Sequence, residues 1–172
     1  MKKILFIVLC FTAFQFSGLI AQEIKWISIQ ELEAAQKENP KKVLIDIYTD
    51  WCGWCKRLDA TTFKDPKIIA YLNEKYHCVK LDGEAKETIM YRGVDFKFVN
   101  AGRRGYHQLA SGFMQGKHSY PTLTVLDENL DILQIFKGYQ KAEDFLPILM
   151  FLGDNVYKTK SWQEYKVATN KD

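Results

Sequence analysis

Two cysteines three residues apart stand directly after a short apolar run, and this junction constrains the chain more than any other feature. The run, Val43 to Tyr48, has the length and continuity of a strand buried on both faces,. The stretch that follows, Trp51-Cys52-Gly53-Trp54-Cys55-Lys56, reads as the start of a helix reaching Leu58. A strand that hands a cysteine to a helix N-terminus sets the position of a sheet and of a reactive sulfur together. Free backbone N–H groups and the helix dipole favour a thiolate on the first cysteine. The second lies one turn along, within bonding reach, and Gly53 lets the backbone turn tightly between them.

The same spacing serves zinc sites, which normally take a second pair of ligands. The remaining candidates are Cys78, His77, His107 and His118. His77 and Cys78 are adjacent in a predicted strand and point to opposite faces, so they do not readily complete one site. No metal and no cofactor is expected beyond a redox-active disulfide between Cys52 and Cys55. Cys78 reads as a small buried hydrophobe.

Elsewhere the pattern alternates helix and strand. Ser28-Ile29-Gln30-Glu31 is a capping box followed by apolar residues at helical spacing, and Pro40 ends that helix,. Asp65-Pro66 starts another by N-cap and first-turn proline. His77 to Leu81 is a second strand. Val94, Phe96 and Phe98 alternate with polar residues and predict an edge strand, and Tyr106 to Met114 a short helix. Thr122 to Leu126 and Ile132 to Phe136 are spaced as a hairpin. Ala142 to Leu152 is a closing helix interrupted or kinked at Pro147, and Ser161-Trp162-Gln163-Glu164 caps a last short one. The expected class is α/β, a mixed sheet covered by helices on both faces.

The first residues differ in kind. Lys2 and Lys3 precede 17 uncharged residues, Ile4 to Ile20, and Ala21 then gives way to a polar segment. This reads as a signal peptide over residues 1–21, with an uncleaved membrane anchor as the alternative. Its removal lowers the formal charge from +3 to about +1, which gives no reason to expect a nucleic acid or an anionic membrane as partner,. Three cysteines would remain, too few for a disulfide framework and suited to one working pair and one spare thiol. Residues 22–152 form the expected domain, with an insertion around 84–118, and residues 153–172 a C-terminal extension with a short helix.

The stretch Val43 to Lys56, with its Cys-Gly-Trp-Cys centre, resembles the thioredoxin family. Tyr120-Pro121-Thr122 is similar to that family's cis-proline segment, and Gly138 stands where the family places a late glycine. The resemblance covers roughly Lys41 to Leu152 and weakens between Gly83 and Lys117, where this chain is longer. It implies a thioredoxin-like fold with the cysteine pair at the rim of the sheet. It makes Cys52 the nucleophile and Cys55 the resolving thiol, and it matches Asp46 to a buried acid that takes the proton of Cys55 and Lys80 to its lysine partner. Pro121 would hold a cis bond, and the backbone of Tyr120 would pair with an extended substrate. Trp51, Gly53 and Trp54 complete the expected substrate surface. Trp54 stands where cytosolic thioredoxins carry proline, and Tyr120 replaces a smaller aliphatic residue.

The function that follows is a monomeric, exported thiol–disulfide oxidoreductase acting on protein disulfides outside the cytoplasm and drawing electrons from a membrane thiol reductase. An oxidase or isomerase running the same chemistry in the other direction is the first alternative, and a non-catalytic binding module the second. All of these except the last require that solvent reach Cys52.

Overall fold

The computed structural model describes residues 23–102 and 104–169. The proposed leader, residues 1–21, lies outside them. The elements run in chain order as β1 (Trp26–Ile27), α1 (Ile29–Glu38), β2 (Lys42–Tyr48), α2 (Gly53–Ala60), α3 (Pro66–Lys75), β3 (Tyr76–Asp82), β4 (Ile89–Tyr91), β5 (Val94–Phe96), β6 (Phe98–Val99), β7 (Tyr106–His107), α4 (Gln108–Phe113), β8 (Thr122–Leu126), β9 (Ile132–Lys137), α5 (Ala142–Gly153) and α6 (Trp162–Thr169).

Five strands form one sheet in the order β1-β3-β2-β8-β9. Strands β1, β3 and β2 are parallel, while β8 is antiparallel to β2 and β9 to β8. Strand β2 is central, and its residues from Lys42 to Ile47 are all buried. Each face carries its own apolar cluster. One joins Ile45 and Ile47 to Leu32, Leu109 and Phe113, and the other joins Leu44 and Leu123 to Ile68, Leu72, Phe145 and Leu149. This is the mixed, doubly covered α/β sheet that the pattern predicts.

The predicted helix starts are present as hydrogen bonds. Ser28 and Glu31 close a reciprocal box on α1, Asp65 Oδ1 accepts from the amides of Lys67 and Ile68, and Ser161 and Glu164 cap α6. Helix α5 runs through Pro147 unbroken. Residues 84–118 differ from expectation. Val94 and Phe96 belong to a separate ribbon with β4, and Phe98 to another with His107; neither ribbon joins the main sheet. The β4–β5 ribbon closes at Arg92-Gly93, where both residues take positive φ (52° and 75°), as a two-residue hairpin requires,.

The far end of the sheet from the cysteine pair is fastened by a buried lysine. Lys42, 1% exposed, donates to Glu128 Oε1 at 2.6 Å and to Asn155 Oδ1 at 2.9 Å. Glu128 lies in the β8–β9 turn and Asn155 just after α5, so one ammonium ties three segments together. Among the described residues no helix is long and apolar enough to cross a membrane.

Candidate active site

Strand β2 ends at Tyr48, and four residues later Cys52 is the N-cap of α2. Cys52 and Cys55 close as a disulfide. The amide of Cys55 donates to Cys52 Sγ at 3.0 Å, and the amide of Lys56 to the Cys52 carbonyl at 3.2 Å. The first turn of the helix thus aims one free donor, the Cys55 amide, at the sulfur of Cys52, the arrangement that favours negative charge there,.

The expectation of an open sulfur is corrected: Cys52 and Cys55 are each 3% exposed. In the disulfide, Cys52 Sγ has another sulfur on one side and an amide N–H on the other, which leaves little of it to water. Neither cysteine belongs to the two apolar clusters, and the flanking Trp51 and Trp54 are 49% and 57% exposed. The sulfur is thus closed off from water between chain neighbours, Trp51, Gly53, Trp54 and Lys56, that are themselves exposed.

Each tryptophan is held by its own set of neighbours. Trp54 tilts against Tyr139 at 5.8 Å, and Arg57 lies near both rings. Trp51 donates its indole N–H to Glu84 Oε2 at 3.0 Å, meets Tyr120 edge-on at 5.8 Å, and carries the Arg104 guanidinium over its ring at 3.8 Å. The Tyr120–Pro121 bond is cis, Pro121 is buried, and its carbonyl accepts from the amide of Gly138 at 2.8 Å. Gly138 has φ +80°, a conformation that favours glycine,. The candidate residues Trp51, Cys52, Gly53, Trp54, Cys55, Tyr120 and Pro121 thus meet at one rim of the sheet.

Asp46 and Lys80 are register partners across β2 and β3, and Lys80 Nζ lies 2.7 Å from Asp46 Oδ2. The approach is close enough for an ion pair but is not aligned as a hydrogen bond, so both Asp46 oxygens lack a directional partner. With 1% exposure, burial outweighs the pull of Lys80 and lifts the carboxyl to about 6,. Lys80 also binds Asp59 of α2 and sits among the rings of Trp26, Tyr48 and Phe63. Burial acts to lower the Lys80 ammonium, but Asp46 and Asp59 overcome it and hold it above its ordinary value. Among the described residues no polar contact joins Asp46 to either sulfur in this oxidised state.

Sequence reasoning missed Asp59, Glu84 and Arg57. Asp59 alone left a signal: it stands four residues after Cys55, one helical turn further on the same face. The histidines serve locally. His107, fully buried, accepts from the Leu109 amide at the start of α4, and His118 stacks on Tyr106 at 4.3 Å. Cys78 is buried in β3, and burial pushes its thiol far up. Among the described residues no three potential ligands converge as a metal site.

A central mixed sheet, a cysteine pair capping a helix at its rim, and a cis-proline beside that pair define a thioredoxin-like thiol–disulfide oxidoreductase. The sequence model of the thioredoxin-like domain family matches residues 29–153, and the chain belongs to that family. It is similar to thiol:disulfide interchange proteins DsbD from Pectobacterium atrosepticum (37% identity over 46 residues, 27% of this chain and 8% of the relative) and Vibrio vulnificus (36% over 58 residues, 30% and 10%). The match thus spans a tenth or less of those relatives. Among solved structures it resembles a thioredoxin-fold protein from Helicobacter pylori, with TM-score 0.57, 18% identity, and coverage of 78% of this chain and 88% of the other. It also resembles a putative disulphide-isomerase from Bacteroides thetaiotaomicron, with TM-score 0.53, 25% identity, and coverage of 76% and 93%.

Proposed function

We propose that the chain is an exported, monomeric reductase of protein disulfides. One observation carries this: the Cys52–Cys55 pair caps α2 with an amide on Cys52 Sγ, at the end of the same strand that buries Asp46 against Lys80. In the reduced protein the Cys52 thiolate attacks one sulfur of a substrate disulfide. That bond breaks, one substrate sulfur leaves as a thiolate and is protonated by solvent, and a Cys52–substrate disulfide forms. Cys55 gives its proton to the Asp46 carboxylate and attacks Cys52 Sγ, which releases the second substrate thiolate. The substrate has gained two electrons and the pair is oxidised. Lys80 steadies the Asp46 charge before the transfer.

Trp51, Gly53, Trp54, Tyr120 and Pro121 form the substrate surface, with the Tyr120 backbone pairing to an extended chain. Two electrons from a membrane thiol reductase reset the pair. The N-terminal leader supports export, and the likeness to interchange proteins supports a place in an electron relay.

The test is a pair of cysteine variants. Cys52→Ser is expected to abolish reduction of a protein disulfide such as insulin's, and Cys55→Ser to accumulate mixed disulfides visible on non-reducing gels. Full activity in Cys52→Ser would refute the assignment. The isomerase-like neighbour motivates a second direction of flow. Equilibration with glutathione separates the two, since thioredoxin lies near ~ −270 mV and the strongly oxidising bacterial enzyme near ~ −120 mV. A potential toward the first is expected.

A further inference from the structure

The insertion builds a cleft that the shared chemistry does not require. Its foot is fastened to the scaffold: the Gly83 amide donates to Tyr48 O at 2.8 Å, and the His107 amide to Gly83 O at 2.7 Å. Between the insertion and the rim opens a cleft of about 420 Å³, lined by Trp51, Glu84, Arg104, Tyr106, His118 and Tyr120 among others. Arg104 is exposed, and its guanidinium face lies on Trp51. Stacking uses the face of the fork and leaves its in-plane N–H donors free to grip a carboxylate in bidentate fashion. Among the described residues Arg104 makes no ion pair, although Glu84 lines the same cleft; Glu84 is engaged by the Trp51 indole instead.

We infer that this cleft is a substrate subsite in which Arg104 selects protein disulfides carrying a carboxylate side chain beside the target cysteine. The inference rests on the oxidoreductase assignment and adds its specificity. A substrate sulfur joined to Cys52 sits one residue from Trp51. An extended chain advances about 3.3 Å per residue, so the residue flanking the substrate cysteine comes to the mouth of the cleft. An aromatic guest finds the Trp51 face already occupied. The walls add the Tyr106 hydroxyl as a donor; the Ser119 hydroxyl is paired with Thr122, His118 Nε2 with Ser111, and Glu84 Oε2 with the Trp51 indole. Beyond the cleft, Asp50, Asp82, Glu84 and Glu87 line a neighbouring depression together with Lys86. That field favours a cationic substrate, so the sign of the selectivity tells which governs, the stacked arginine or the wider surface.

The experiment is a competition. Two peptides, identical but for Glu or Lys next to their single cysteine, are supplied in excess as symmetrical disulfides to the fully reduced full-length protein, the only dithiol present. Each reaction oxidises one Cys52/Cys55 pair and yields two peptide thiols, and the ratio of products is read by chromatography. Because both peptides meet the same molecules, any change in folded fraction cancels. The wild type is expected to favour the Glu peptide about five-fold, the upper end for an exposed ion pair, and the preference shrinks as salt is raised. Arg104→Gln brings the ratio to unity, Arg104→Glu inverts it, and Arg104→Lys keeps part of it. A wild-type ratio of unity or in favour of Lys, or an unchanged ratio in Arg104→Gln, overturns the subsite. If neither peptide reacts, the oxidoreductase assignment falls and the subsite with it.

Discussion

The two ends of the sheet each pair a lysine with a carboxylate, with opposite results. At the far end, Lys42 is 1% exposed and its partner Glu128 is 35% exposed. At the cysteine end, Lys80 is 24% exposed and its partner Asp46 is 1% exposed. For Glu128 burial is the largest single influence and acts upward, yet Lys42 and the backbone together hold the carboxyl below its ordinary value. For Asp46 burial wins and the carboxyl rises to about 6. The same pair of groups therefore makes a lock when the acid keeps its water and a carboxyl that holds its proton to higher pH when it loses it. Where the acid sits, rather than how near the lysine comes, decides which (2.6 Å against 2.7 Å).

The largest effect on stability is expected at the lock. Glu128→Leu strands the Lys42 ammonium in the interior with Asn155 as its remaining polar partner, at a cost of about 3 kcal/mol. Urea titration reads this directly, and a loss no greater than that of a surface substitution would erase the contrast between the two ends.

Asp46→Asn works the other way. Because the folded carboxyl titrates at about 6 and its ordinary value is 3.8, the folded protein holds a proton that the unfolded chain has released. The Asp46 contribution is fully present below the unfolded value and is lost as pH rises toward about 6, so stability falls across that window,. The Asn variant should lose this slope and be about 2 kcal/mol more stable at neutral pH. It should also resolve mixed disulfides more slowly. Glu128 carries the opposite slope, its contribution being lost as pH falls through its lowered value,. Denaturation midpoints of both variants across mildly acidic pH would show the two slopes cross.

The smallest effect concerns the join between scaffold and insertion. A Cβ on Gly83 would lie within 2.4–2.7 Å of the Tyr120 ring, so Gly83→Ala must displace that ring from beside Trp51. A loss of about 1 kcal/mol is expected, with a fall in kcat/KM for protein disulfides. Unchanged kinetics would mean that the placement of Tyr120 does not matter to substrates.

What was legible in the sequence was local. Ser28 with Glu31, Asp65 with Pro66, and Ser161 with Glu164 satisfy helix amides within a few residues of themselves, so their spacing alone announces them. The same holds for Cys52 and Cys55, one turn apart. The pairing of Asp46 with Lys80 was available through resemblance and not through spacing, because parallel register is set by distant segments. Lys42 escaped notice because a lysine is expected outside, and its two partners lie 86 and 113 residues away. The 84–118 segment was least legible. Its strands are two or three residues long, its tight turn uses Arg92 where Asn or Asp would have signalled it, and its foothold is backbone hydrogen bonding at Gly83 that no side chain advertises.

The proposed chemistry needs charge on the sulfur that receives the Cys55 amide. Ultraviolet titration of the reduced protein, with Cys55→Ser to isolate the signal and the buried Cys78 silent, measures its ionisation directly. Cys52 is expected to be largely thiolate at neutral pH. A sulfur that stays protonated until mildly alkaline pH, as in an ordinary cysteine, would contradict the proposed chemistry.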